Sequence, residues 1–282
     1  MKIGITGATG QLGRLVIEKL KAKTSASNIT ALVRTPEKAA DPVVETRRFD
    51  YTKPGEMFES LKGIETLLLI SGNELGQRAI QHANVINSAK KAGVKWIVYT
   101  SLLHADSSEL SLAGEHLATE KELKESGIQF TILRNGWYTE NYTSSVKMAV
   151  TNKAFIGSAG NGKISSATRA DFAEAAAVVL TGKGHNGKIY ELAGDNEYTL
   201  SDLAEEISRQ CGSIIPYNNL PESEYANILK NAGVPEMFAN AIAGWDFCVS
   251  KNDLFDDSHT LSKLIGRPTT SLFEAVKAAF LN

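Results

Sequence analysis

Cysteine is nearly missing. The 282 residues hold only Cys211 and Cys248, in no metal-binding or redox spacing. That excludes a disulfide scaffold and a cysteine-ligated metal module, and it fits reduced thiols in the cytoplasm. Long apolar runs are missing too. Segments such as Thr66-Leu67-Leu68-Leu69-Ile70 have the length of strands and are far too short to span a bilayer. No charge tract exists. The 30 Lys and Arg stand against 32 Asp and Glu, so neither nucleic acid as a partner nor a solvating acidic arm is expected. Repeats, low-complexity stretches and Pro/Ser-rich linkers are absent, and no signal peptide is expected. What remains is 43% hydrophobic and 22% charged, enough for one large domain or a domain plus a small lobe.

The first thirteen residues carry the strongest signal. A short apolar strand runs into Gly7-Ala8-Thr9-Gly10-Gln11-Leu12-Gly13, and an amphipathic helix follows. Such a turn presents backbone N–H groups to a pyrophosphate at a helix N-terminus. Gly7 allows the tight turn, Gly10 the approach of phosphates, and Gly13 the close packing of helix on strand. Strands are expected near Lys2–Thr6, Ile29–Val33, Glu45–Phe49, Thr66–Ser71, Trp96–Thr100 and Phe130–Leu133. Helical patterns alternate with them, at Arg78–Ala92, Leu112–Ser126 and Ala170–Leu180 among others. This is the pattern of an α/β, Rossmann-type doubly wound parallel sheet, with ligands at the carboxyl ends of the strands. Residues 1–135 are expected to form the dinucleotide domain, joined by a later strand near 188–194. Residues 136–282 are expected to form a smaller, mostly helical, interleaved substrate lobe. Ile156–Lys163 reads as a loop rich in small residues, and Thr199–Cys211 as a helix capped by Thr199 or Ser201.

The second strand ends in Leu32-Val33-Arg34, about 20 residues past the glycines, where an NAD site carries Asp or Glu. A guanidinium there suits a 2′-phosphate, so NADPH is expected over NADH, which would bind more weakly. Asp50 and Tyr51 end the third strand on the adenine side. Ser71 ends the fourth, and Gln77 and Arg78 open the next helix.

A tyrosine with lysine four residues later is the common catalytic pair of this fold. None of the eight tyrosines has it. Ser101 ends the fifth strand, and His116 and Glu120 share a face of the helix that follows. His116 fits either a nicotinamide-facing catalytic group or a buried histidine held by local hydrogen bonds. Lys121 fits either a nicotinamide-ribose contact or a solvated lysine. The segment Leu133–Tyr142 leaves a strand's carboxyl end and is dense in aromatic and amide groups. Its backbone near Trp137 and Tyr138, and the Asn141 amide, are placed to meet a carboxamide. An aromatic there, Tyr138 above all, is placed to stack on a flat substrate. The alternative is that Trp137 and Tyr138 only join two lobes.

These segments resemble a known family. GATGQLG at Gly7–Gly13, LVR at Leu32–Arg34, YTSLLHAD at Tyr99–Asp106, EHLATEK at Glu115–Lys121 and LRNGWYTENY at Leu133–Tyr142 look like the NmrA-like branch of atypical short-chain dehydrogenases. Within it, the likeness is to the bacterial NAD(P)H:quinone oxidoreductase type, and it extends to ATRADFA at Ala167–Ala173, YELAGD at Tyr190–Asp195 and LSKLIGRPT at Leu261–Thr269. The resemblance implies NADPH held by Gly7–Leu12, Arg34, the segment Trp137, Tyr138, Glu140, Asn141 and Tyr142, and Arg169. It also implies a small-molecule quinone in a pocket between the lobes, in a monomer or homodimer. No flavin is expected, because hydride passes directly. A quinone accepts hydride readily, since the product anion is delocalised into an aromatic ring. Orientation then supplies most of the effect, and the missing tyrosine–lysine pair is no obstacle. Two other readings stay open: a reductase of another planar electrophile, such as a triphenylmethane dye, and an NADP(H)-binding redox sensor.

Overall fold

The computed structural model describes residues 1–39 and 43–281. The chain begins β1 (Ile3–Thr6), α1 (Gln11–Lys21), β2 (Ile29–Val33), β3 (Glu45–Arg48), α2 (Pro54–Leu61), β4 (Thr66–Leu69), α3 (Arg78–Ala92), β5 (Trp96–Leu102), α4 (Ala113–Glu125) and β6 (Gln129–Asn135). It continues with α5 (Glu140–Thr143), α6 (Val146–Asn152), β7 (Phe155–Gly157), α7 (Arg169–Thr181), β8 (Ile189–Leu192), α8 (Leu200–Cys211) and β9 (Tyr217–Asn219). It ends with α9 (Glu222–Asn231), α10 (Glu236–Val249), α11 (Thr260–Ile265) and α12 (Leu272–Leu281). By contact density the chain divides into two units. The first holds residues 1–106, 112–135 and 169–192, and the second holds 107–111, 136–168 and 193–282.

The first unit is built on a seven-stranded sheet in the order β3-β2-β1-β4-β5-β6-β8, every pair parallel. The order reverses between β1 and β4, which is the ligand-binding switch point of a Rossmann-type sheet. Strands β1, β2 and β4 are buried at every residue, as strands covered on both faces must be. Between the sheet and its helices lie Leu67, Leu69, Ile97, Tyr99 and Ile132, packed with Met57, Leu61, Val85, Ile86 and Leu123. Each such side chain removed from water contributes roughly 1.5–3 kcal/mol before entropy is set against it. Helix α1 buries Leu12, Val16, Ile17 and Leu20, and α7, rich in alanine, packs against it. So α7 as well as β8 groups with the first unit, and the chain re-enters that unit at Arg169.

The second unit is mostly helical. Among its described residues a small sheet pairs β7 with β9 in parallel, Phe155 opposite Tyr217. The stretch read as a loop from Ile156 therefore begins as a strand. Three residues are too few to show a strand period, and the partner lies some sixty residues on. Helix α2 also escaped the pattern, because it opens with Pro54-Gly55 and is only eight residues long. No helix among the described residues is long and apolar enough to cross a membrane.

Candidate functional site

In the first unit, the carboxyl edge of β3, β2, β1 and β4 gathers Asp50, Tyr51, Arg34, the glycine turn and Ser71. The three glycines serve three purposes. Gly7 has φ +57°, a region that suits glycine. A Cβ on Gly13 would lie 2.3 Å from the Gly7 carbonyl oxygen and 2.8 Å from the Ala8 Cα, so the helix packs on the turn only without one. Gly10 is different. It is exposed, and a Cβ would meet only the Gly7 carbonyl, at 3.1 Å. The chain's own packing leaves the outer side of Gly10 open, as a cradle for phosphate requires. Gly10 caps α1 with no side-chain bond, and the first turn carries no acidic residue. Its backbone N–H groups and the positive end of the helix dipole are thus left for an anion. Arg14 Nε donates to the Thr9 carbonyl at 2.9 Å and braces the turn. Ala8 and Leu12 are buried under it, Thr9 is half-buried and Gln11 exposed. These residues fit a dinucleotide pyrophosphate.

A polar layer ties the strand ends together beneath this turn. The Tyr51 hydroxyl lies 2.6 Å from Thr6 Oγ1 and 2.9 Å from the Ile70 carbonyl, and the Ile70 N–H donates to Thr6 Oγ1. Burial pushes the Tyr51 phenol well up, so it stays neutral. The Ser71 N–H donates to Thr100 Oγ1 at 2.9 Å. The Gly72 N–H donates to His82 Nε2 at 3.0 Å, which places the ring proton on Nδ1, 2.9 Å from Thr119 Oγ1. Burial, aided by the nearby Arg78 charge, lowers His82 to about 3.

Other expected cofactor residues are engaged internally. Arg78 is buried, donates to the Gly72 carbonyl and pairs with Glu115 at 3.1 Å. It is a brace for the loop after β4, not an open cation. Gln77 is the exposed residue before α3, and Lys121 is exposed on α4. Arg169 is half-buried at the start of α7. Asp50 is half-buried. Its burial is outweighed by the Thr52 N–H and hydroxyl and by nearby cations, so its carboxyl stays below the usual range. Arg34 is 67% exposed at its side chain, with Glu74 at 3.2 Å.

His116 requires a correction. It is only 4% exposed, its Nδ1 lies 2.8 Å from the buried Tyr99 hydroxyl, and burial drives its pKa well below the ordinary value. The buried, locally bonded alternative replaces the nicotinamide-facing one. Glu120, one turn on, is buried as well and is bonded by Ser101 at 2.7 Å and bidentately by Arg134 at 2.9 Å. Arg134 also reaches Glu191 at 2.8 Å and Asp106 at 3.0 Å. This network at the carboxyl end of β5, β6 and β8 was not foreseen. Its one sequence signal is an arginine inside the apolar strand Gln129–Asn135. Asn135, the last residue of β6, has a buried Oδ1 with no partner.

The remaining candidates lie in the second unit. Trp137 and Tyr138 are half-buried, Glu140 is half-buried and Asn141 exposed. Trp137 meets Trp245 edge to face with ring centroids 5.6 Å apart, and Trp245 Nε1 donates to Ser111 at 2.9 Å. Tyr142 is also corrected. It is 8% exposed, and its hydroxyl donates to Asp246 at 3.2 Å, so the side chain serves this unit's interior. Asp246 also accepts the Ser158 N–H at 3.0 Å, and burial raises its carboxyl to about 6. Among the described residues, no group of three or more His, Cys, Asp or Glu is arranged to hold a metal ion.

Comparison with known proteins agrees with this geometry. A family described as NAD(P)H-binding matches residues 7–183. Quinone oxidoreductase 2 of Escherichia coli is 55% identical over 99% of this chain and 98% of its own length. The crystal structure of the E. coli NADPH-dependent quinone oxidoreductase complexed with NADPH superposes with a TM-score of 0.96, over 99% of each chain. The Citrobacter triphenylmethane reductase complexed with NADP(H) is 40% identical, with a TM-score of 0.95 over 99% of this chain and all of its own. An Aspergillus flavus NmrA-like family domain-containing oxidoreductase is 31% identical over 80% of this chain and 77% of its own. With its glycine cradle, parallel sheet and full-length relatives, this chain belongs to the NAD(P)H-binding, NmrA-like oxidoreductase family.

Proposed function

We propose that the protein is an NADPH-dependent quinone oxidoreductase that reduces a quinone to the hydroquinone in one two-electron step. The observation that carries this reading is the 55% identity to E. coli Quinone oxidoreductase 2 across essentially both chains. When bound, NADPH supplies the hydride. The protein's part is to hold and orient. In this reading the first-turn N–H groups of α1, above Gly7–Gly13, bind the pyrophosphate, and Arg34 binds the 2′-phosphate. Asp50 and Tyr51 flank the adenosine, and Ser71 lies beside the phosphates with Gln77 following it. Lys121 and Arg169 are further cofactor contacts. Trp137, Glu140 and Asn141 serve the nicotinamide side, and Tyr138 presents its ring to the quinone plane. His116, Arg78 and Tyr142 act as internal supports. No side chain need donate a proton to a poorly stabilised alkoxide, because the hydroquinone anion spreads its charge over the ring.

The 40% identity to triphenylmethane reductase favours a second reading, reduction of a planar cationic dye. The test is NADPH oxidation followed by absorbance, with methyl-1,4-benzoquinone and a triphenylmethane dye as parallel acceptors and NADH as the parallel cofactor. Faster quinone turnover with NADPH supports the first reading. Faster dye turnover selects the second. NADPH binding with no turnover of either defeats both and leaves an NADP(H) sensor.

A further inference from the structure

The loop that follows β4 is held in place by one face of α3. Arg78 Nε donates to the Gly72 carbonyl at 2.9 Å, and His82 Nε2 accepts the Gly72 N–H at 3.0 Å. Gln81 Nε2 donates to Glu74 Oε2 at 2.6 Å. All three α3 residues are buried, so Glu74 is a carboxylate with an anchored base. Its other oxygen, Oε1, receives Arg34 NH1 at 3.2 Å. Arg34 follows β2 and Glu74 follows β4, and these two strands flank β1 in the sheet. The ion pair therefore bridges the two loops on either side of the strand that feeds the glycine turn. Asp50 also feels the Arg34 charge, together with that of Lys53.

We propose that Glu74 sets the cofactor preference of this site. It accepts the ribose 2′-hydroxyl of NADH, and it competes with the 2′-phosphate of NADPH for the Arg34 guanidinium. The inference rests on the reading of Arg34 as the 2′-phosphate contact. The chemistry is that of one cation shared between two anions. A carboxylate fixed from behind by Gln81 keeps Arg34 paired while the site is empty of phosphate. An incoming 2′-phosphate must displace that carboxylate and then tolerate it as a neighbouring negative charge. A ribose hydroxyl meets neither cost and gains an acceptor. Glu74 thus narrows a preference that Arg34 alone would make steep.

The experiment measures equilibrium dissociation constants for NADPH and NADH by nucleotide fluorescence, without quinone. It compares the intact protein, Glu74→Gln, Arg34→Ala and the double variant. Glu74→Gln keeps the size and shape of the side chain, removes the charge and turns one of the two acceptor oxygens into a donor. It is expected to tighten NADPH about threefold and weaken NADH about threefold, the scale of an exposed ion pair. The NADPH gain is expected to vanish in the Arg34→Ala background, which a general change in loop structure would not produce. An unchanged NADPH-to-NADH ratio in Glu74→Gln, or an equal shift of both cofactors, overturns the proposal. Equal losses of both cofactors in Arg34→Ala overturn the underlying reading of Arg34 instead. Because quinone is absent, neither result depends on the acceptor.

Discussion

Gly10 and Gly13 are both glycines of one turn, yet they answer to different forces, and single methyl groups separate them. Gly13→Ala places a carbon 2.3 Å from the Gly7 carbonyl oxygen and 2.8 Å from the Ala8 Cα, an overlap with backbone that no small adjustment relieves. It is expected to cost a few kcal/mol of stability, read as a lowered thermal midpoint without ligand. Gly10→Ala meets the same oxygen at 3.1 Å, a contact that a shift of a few tenths of an ångström relieves, and is expected to lower the apo midpoint far less than Gly13→Ala while NADPH binding weakens at least tenfold. Equal loss of apo stability in the two variants would show that Gly10 is a packing residue. Arg34 carries the companion prediction. Arg34→Ala is expected to weaken NADPH more than NADH by about 1–3 kcal/mol, for the loss of a charge-assisted contact. Titration with both cofactors checks it. The places of these residues, on the turn into α1 and just after β2, were legible in the sequence because local spacing alone defines them. His116 and Tyr142 were not, since whether a polar side chain faces ligand or interior depends on Tyr99 and Asp246, which lie 17 and 104 residues away.

Elements were legible in proportion to how much of their stability is local. Helix α8 is the clearest case. Its capping box is complete, with the Asp202 N–H bonded to Thr199 Oγ1 at 3.2 Å and the Thr199 N–H bonded to Asp202 Oδ2 at 2.7 Å. The sequence offered Thr199 or Ser201 as the cap, because cap chemistry is set within four residues, and the structure places Thr199 there. Thr199→Ala is expected to cost about 1 kcal/mol, measured by chemical denaturation. A change below a few tenths would mean that burial of Leu200, Leu203 and Ile207 holds the helix without its cap. The pair β7 and β9 was invisible for the opposite reason. Each is three residues long and exists only through the other. The Arg134 network belongs to the same class: its partners come from α4, β8 and the loop after β5, and only the folded sheet assembles them.

At the scale of the whole molecule, the balance of shifted groups sets the response to acid. His82 falls from 6.5 to about 3, and His116 is also depressed. Both histidines bind protons more weakly in the folded chain than in the unfolded one. Their contribution is fully present above pH 6.5 and is lost as pH falls below it, for His82 down to about 3. Asp246 has the opposite sign. Its folded carboxyl, raised from 3.8 to about 6, holds a proton more tightly, so this group favours folding below pH 3.8 and loses that effect as pH rises through 6. His185, also depressed by burial, has the same sign, so three histidines act against one carboxyl, and the shift at His82 alone exceeds that at Asp246. The protein is therefore expected to lose stability between pH 6.5 and 4.5, before most carboxylates titrate. Denaturation midpoints by circular dichroism at pH 7, 6, 5 and 4.5 check this. His82→Gln keeps an acceptor for the Gly72 N–H and cannot titrate. It is expected to be less stable than the parent at pH 7 and to lose less between pH 7 and 4.5. A parent midpoint that stays level across that range would mean that water reaches His82 and His116 on protonation, and that the polar layer under the cofactor loops opens without unfolding the sheet.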